Sequence, residues 1–104
     1  MKRFLIKYRF QDARGAVEDW HRQVGIFIAA LDADPELRGR IAYRCMKARD
    51  GEDYFHIATV HDDSGRVALQ ERAFFKHYTE ATKTVSGGTL EVLPLETIAE
   101  TAAA

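Results

Sequence analysis

At 104 residues, 46% apolar and 30% charged, the chain has the size and balance of one globular domain rather than a disordered segment. Fifteen Lys and Arg against sixteen Asp and Glu leave a formal charge of -1, without the basic excess of a dedicated nucleic-acid binder. One cysteine, Cys45, excludes an intramolecular disulfide and a cysteine-built zinc cage, and no apolar run nears the ~20 residues that span a bilayer.

The N-terminus is basic at Lys2 and Arg3, but its apolar stretch breaks too early for a signal peptide. A soluble, cytoplasmic protein is expected. Phe4, Ile6, Tyr8 and Phe10 alternate with Arg3, Leu5, Lys7 and Arg9, the period of a strand with one apolar face. Gln11-Asp12 ends it, with Asp12 as a candidate helix N-cap. A first helix is predicted over 13–31, because Val17, Trp20, Val24, Phe27, Ile28 and Leu31 recur at helical spacing. Asp34-Pro35 interrupts the chain there.

Two strands follow around Asp50-Gly51, a strong turn signal. Ile41, Tyr43 and Cys45 share one face of the first. The return strand, 54–61, is largely apolar on both faces, so both faces are expected to be covered. A second helix is predicted over 66–85, in one or two pieces, on the stripe Val67, Phe74, Tyr78, Ala81 and Val85. Gly87-Gly88 ends it with the residues suited to a left-handed cap. A last strand spans 89–97, and Pro94 within it marks an edge or a bulge. Residues 1–98 are read as a single domain and 99–104 as a C-terminal tail.

The order βαββαβ is the ferredoxin-like pattern, of class α+β. It implies a four-stranded antiparallel sheet with two helices on one face. Phe4, Ile6, Tyr8 and Phe10 are expected under the helices. Leu5, Ala42, Met46, Tyr54, Ala58 and Val60 are expected on the open face. That much apolar surface points to a two-fold homodimer through the sheet.

The element order, the segment Ala73-Phe74-Phe75-Lys76 and the strand Phe55-His56-Ile57-Ala58-Thr59-Val60 resemble the antibiotic-biosynthesis-monooxygenase superfamily over about residues 3–97. The resemblance implies a dimeric α/β barrel with a pocket between sheet and helices in each protomer. It also implies oxidation of aromatic polyketides or quinols with O₂ alone, or haem degradation. The haem-degrading members' Asn, Trp and His fall by position near Tyr8, His61 and Thr79, and none of the three matches. The strand-1 Asn is missing for the cofactor-free oxygenases too.

Histidine is the usual acid or base near neutral pH. His61 is expected to point under the helices and His77 to flank the buried stripe of the second helix. With Tyr8 they form a candidate catalytic group for proton abstraction from a phenol or hydroquinone. Trp20, Tyr43, Ile57, Phe74 and Tyr78 are candidate ligand-binding walls, since a flat aromatic ligand stacks among aromatic rings. The bland alternative is an aromatic-rich core with flank histidines at the surface. His56 and His61 fall on opposite faces and make no metal pair. No metal site and no cofactor are expected.

Competing uses of this topology fit less well. Asp53-Tyr54-Phe55-His56-Ile57 lacks the strand motif of an RNA-recognition module. Phe10-Gln11-Asp12-Ala13-Arg14-Gly15 lacks a glycine-rich anion loop. Cys45 reads as a small buried hydrophobe. Two functions remain: a cofactor-independent monooxygenase for a small aromatic, polyketide-like or quinol substrate, and a non-catalytic ligand-binding or stress-related dimer. The expected partners are a second copy and a small aromatic ligand, with neither nucleic acid nor membrane.

Overall fold

The computed structural model describes residues 1–11 and 17–103. The candidate cap Asp12 and the first turn of the expected helix, 13–16, lie outside the described residues. Seven elements follow in order: β1 (Lys2–Arg9), α1 (Val17–Ala33), β2 (Ile41–Lys47), β3 (Asp53–Val60), α2 (Asp63–Glu71), α3 (Ala73–Ser86) and β4 (Glu91–Leu95). The strands form one antiparallel sheet in the order β2-β3-β1-β4. The architecture is α+β and ferredoxin-like. Where one second helix was expected in one or two pieces, there are two.

Each helix follows its apolar spacing. Trp20, Val24, Phe27 and Leu31 are the buried residues of α1. Tyr78, Thr82, Val85 and Ser86 are those of α3. Both stripes rest on the sheet face that carries Tyr8, Tyr54 and His56, so the core lies between that face and the helices.

The break between α2 and α3 falls at Arg72, whose backbone is extended. Its cause is tertiary. The Arg72 guanidinium donates to both carboxylate oxygens of Asp34, at 2.7 and 3.3 Å, and to Glu36 at 3.1 Å. This fork ties the α2–α3 corner to the segment after α1. It holds the Asp34 carboxyl below its usual range, mainly through the hydrogen bond itself. At its other end α2 starts on Asp62, whose side chain accepts from the Gly65 N–H at 2.7 Å. Gly87, at a φ of 56°, closes α3 in the left-handed region. β4 is an edge strand, which accommodates Pro94 without a bulge in the pairing.

One face assignment needs correction. Tyr54, Ala58 and Val60 were expected on the open face, and His61 under the helices. Pairing places Tyr54 opposite Tyr8, His56 opposite Ile6 and Cys45, and Ala58 opposite Phe4 and Tyr43. Paired residues share a face, so Tyr54, His56, Ala58 and Val60 lie under the helices. The open face instead carries Leu5, Ala42, Met46, Phe55, Ile57 and Thr59. A slip of one residue exchanges a strand's two faces. Both faces of β3 are apolar, so hydrophobicity alone did not choose between them.

Candidate active site

His56 sits at the middle of β3 with no solvent exposure. Its ring is surrounded by groups from three elements. Nε2 lies 2.9 Å from the Tyr8 hydroxyl of β1 and 3.1 Å from Cys45 Sγ of β2. Nδ1 lies 2.5 Å from the Tyr43 hydroxyl of β2 and 3.0 Å from the Tyr78 hydroxyl of α3. The two hydroxyls of Tyr43 and Tyr78 are themselves 2.9 Å apart. Behind them, Trp20 of α1 donates its indole N–H to the Tyr8 oxygen at 2.8 Å. His21 and Tyr54 add a further pair at 2.7 Å. Among the described residues, no buried side-chain nitrogen or oxygen is left without a partner.

Burial decides the charge state of this group. Desolvation pushes His56 down to about 4, so the imidazole is neutral at pH 7. The same burial raises Tyr8, Tyr43 and Tyr78 well above the ordinary phenol range. These hydroxyls keep their protons and act as hydrogen-bond donors. Cys45 is pushed up to about 11 and stays a thiol.

A pocket of about 300 Å³ opens beside this network, between the sheet and helices α2 and α3. Phe4, Ile6, Ile41, Ala58 and Val60 make its floor, and Leu69, Phe75 and Thr82 its helical wall. The lining is almost wholly carbon. Tyr43 and Tyr78 line it too, and the hydroxyls of both reach His56. Gln70 and Val92, the exposed lining residues, mark its solvent side, with half-buried Arg66 donating to Gln70 there. The size and character suit a small flat ligand with few polar atoms. No group of three or more His, Cys, Asp or Glu among the described residues has the arrangement to hold a metal ion.

Of the residues singled out from sequence, Tyr8, Trp20, Tyr43 and Tyr78 come together here. Phe74 is half-buried and packs on Phe27, 6.0 Å between ring centres, outside the pocket lining. Ile57 is on the other face of the sheet, in a shallow groove with Ala42, Arg44 and Met46. His61 follows the last residue of β3 with open-face parity and is exposed. His77 is exposed on the flank of α3, one position off its buried stripe. Neither histidine lines the pocket. His56, which is not among the residues expected from sequence to act, occupies the centre.

No family model and no curated protein matches the chain in sequence. Solved structures do match in shape. A variant of SnoaB, a cofactor-independent oxygenase from Streptomyces nogalater, aligns at a TM-score of 0.69 and 16% identity, over 97% of this chain and 96% of that one. A protein described as an antibiotic biosynthesis monooxygenase aligns at 0.74 and 9% identity, over 95% and 100% of the two chains. A conserved protein from Methanosarcina mazei aligns at 0.73 and 12% identity, over 92% and 91%. The chain has the fold of the antibiotic-biosynthesis-monooxygenase proteins.

Proposed function

We propose that the chain is a small oxygenase that needs no cofactor and acts on an aromatic, polyketide-like or quinol substrate. The observation that carries this reading is the apolar pocket ending on the Tyr43–Tyr78–His56 group. A flat ring system would fill the apolar part, and its oxygen would meet the two hydroxyls. Protonated hydroxyls in a dry site stabilise negative charge developing on a substrate oxygen. An activated ring CH₂ would then pass its proton to water at the solvent side of the pocket, giving an enolate. The enolate supplies the electrons for O₂. The carbon ends as C=O, one oxygen atom stays on it, and the other leaves as water with the two hydrogens.

An anion at Tyr43 and Tyr78 would also raise the affinity of His56 for a proton, because opposite charges favour each other at low dielectric. Tyr8 and Trp20 would act behind it as positioning residues. The exposed His61 and His77 have no part in this reading. Two copies would pair through the open sheet face, where Leu5, Phe55, Ile57 and Met46 lie. In this reading the protein is cytoplasmic and its one cysteine is a free thiol; among the described residues no helix is long and apolar enough to cross a membrane.

The test is oxygen consumption with anthrone, which has one ring CH₂ to oxidise. Uptake of O₂ matched by anthraquinone, above the rate without protein, is expected. The double substitution Tyr43→Phe with Tyr78→Phe should lower kcat by roughly 100-fold. Anthrone binding without O₂ uptake would leave a ligand-binding protein instead.

A further inference from the structure

The hydrogen-bond network does not balance internally, and the imbalance falls on two residues of the pocket lining. Trp20 is a donor only, and its N–H is spent on the Tyr8 oxygen. The Tyr8 hydroxyl proton therefore needs an acceptor. Among the described residues His56 Nε2 is its one hydrogen-bonded neighbour able to accept. Nε2 must then carry no proton, so the neutral ring holds its proton on Nδ1.

Nδ1–H donates in turn to Tyr43 or to Tyr78. Suppose Tyr43 accepts it. Its own proton then goes to Tyr78, and the Tyr78 proton has no acceptor in the group. If Tyr78 accepts it first, Tyr43 is left with the unused proton. Either way one phenolic O–H is surplus, and both phenols line the pocket. The opposite tautomer, with its proton on Nε2, would leave the surplus on buried Tyr8.

We propose that the Tyr43–Tyr78 hydroxyl pair is a donor site that selects ligands with an acceptor oxygen, and that Tyr8 sets it from behind the pocket wall. The ligand class is a neutral, apolar-bodied ketone, quinone or enol, with its oxygen against the pair. This rests on the pocket being the ligand site. It is independent of whether the bound molecule reacts with O₂. The pocket's remaining lining offers a polar group only at Thr79, Thr82, half-buried Arg66 and exposed Gln70.

Replacing Tyr43 or Tyr78 singly by Phe removes one donor and one acceptor together, so one surplus proton survives. Tyr8→Phe acts differently although Tyr8 is not in the pocket lining. It removes the hydroxyl that holds Nε2 unprotonated. The ring can then place its proton on Nε2, towards Cys45 Sγ, and take the Tyr43 proton on Nδ1. The Tyr78 proton goes to Tyr43, and the surplus disappears.

The experiment uses two probes of one skeleton, α-tetralone with a carbonyl and tetralin without. Calorimetric titration of the intact protein should show α-tetralone bound about tenfold more tightly. Tyr43→Phe and Tyr78→Phe should each keep that preference. Tyr8→Phe should bring it towards unity with the tetralin Kd little changed. ¹⁵N NMR of the His56 ring in the unliganded wild type should show a protonated Nδ1, and in Tyr8→Phe a protonated Nε2. Equal binding of both probes, or a protonated Nε2 in the wild type, overturns the proposal while leaving the pocket. Binding of neither probe overturns the pocket reading itself. The wild-type measurements decide the matter even if Tyr8→Phe does not fold.

Discussion

A histidine without solvent exposure makes folding sensitive to acid. His56 titrates near 4 in the folded chain, against about 6.5 when unfolded. Between those values the unfolded state binds the additional proton. Stability is therefore complete above about pH 6.5 and falls as the pH drops towards 4. The shift corresponds to roughly 3 kcal/mol, lost across that window. Urea unfolding at a series of pH values checks this. His56→Gln should flatten that part of the profile, because an amide does not titrate. An unchanged slope in the variant would assign the acid sensitivity to another group. The same burial that creates this sensitivity keeps the imidazole neutral at pH 7, and a neutral ring both donates and accepts. A charged ring would donate from both nitrogens and leave the tyrosine protons with nowhere to go.

At the scale of elements, two glycines with different surroundings give opposite expectations. Gly25 lies inside α1 with nothing within 4 Å of an added Cβ. Gly25→Ala should stabilise the fold by about 1 kcal/mol through helix propensity. Gly87 caps α3 at positive φ, and a Cβ there would stand 3.0 Å from Gln11 Cβ. Gly87→Ala should cost about 1 kcal/mol or more. Thermal melts of the two variants should move in opposite directions.

The elements themselves were legible from periodicity, and so were Tyr8, Trp20, Tyr43 and Tyr78 as members of buried stripes. The face of β3 was not read correctly, although its signal was present. A hairpin centred between Asp50 and Gly51 pairs odd positions of β2 with even positions of β3, as Cys45 with His56 shows. Once Ile41, Tyr43 and Cys45 face the helices, Tyr54, His56 and Ala58 must do so too. Turn geometry carried information that composition lacked. The break at Arg72 had no such local signal. Neither Gly nor Pro marks it, and its cause lies 38 positions away at Asp34.

For the whole molecule, the open sheet face gathers several apolar side chains among the described residues. Met46 is 42% exposed there, Leu93 45% and Leu95 42%, beside half-buried Leu5, Phe55 and Ile57. A second copy placed face to face would bury this patch and leave both pockets on the outer sides. Ile57→Lys is expected to shift the protein to monomer in sedimentation velocity, with its far-UV circular dichroism retained. A monomeric wild type at micromolar concentration would contradict the pairing.

The edge of the same sheet bears on how copies avoid associating. β4 is an outer strand, and Pro94 stands in it opposite Phe4. Proline brings no N–H, so the rim offers an incoming strand an interrupted row of donors. Strand-by-strand growth of the sheet past β4 is therefore disfavoured, even with Val92 and Leu95 exposed nearby. Fibrillar stacking, the hazard of an apolar rim, is checked by one imino acid, while the broad face stays free for a closed and finite contact.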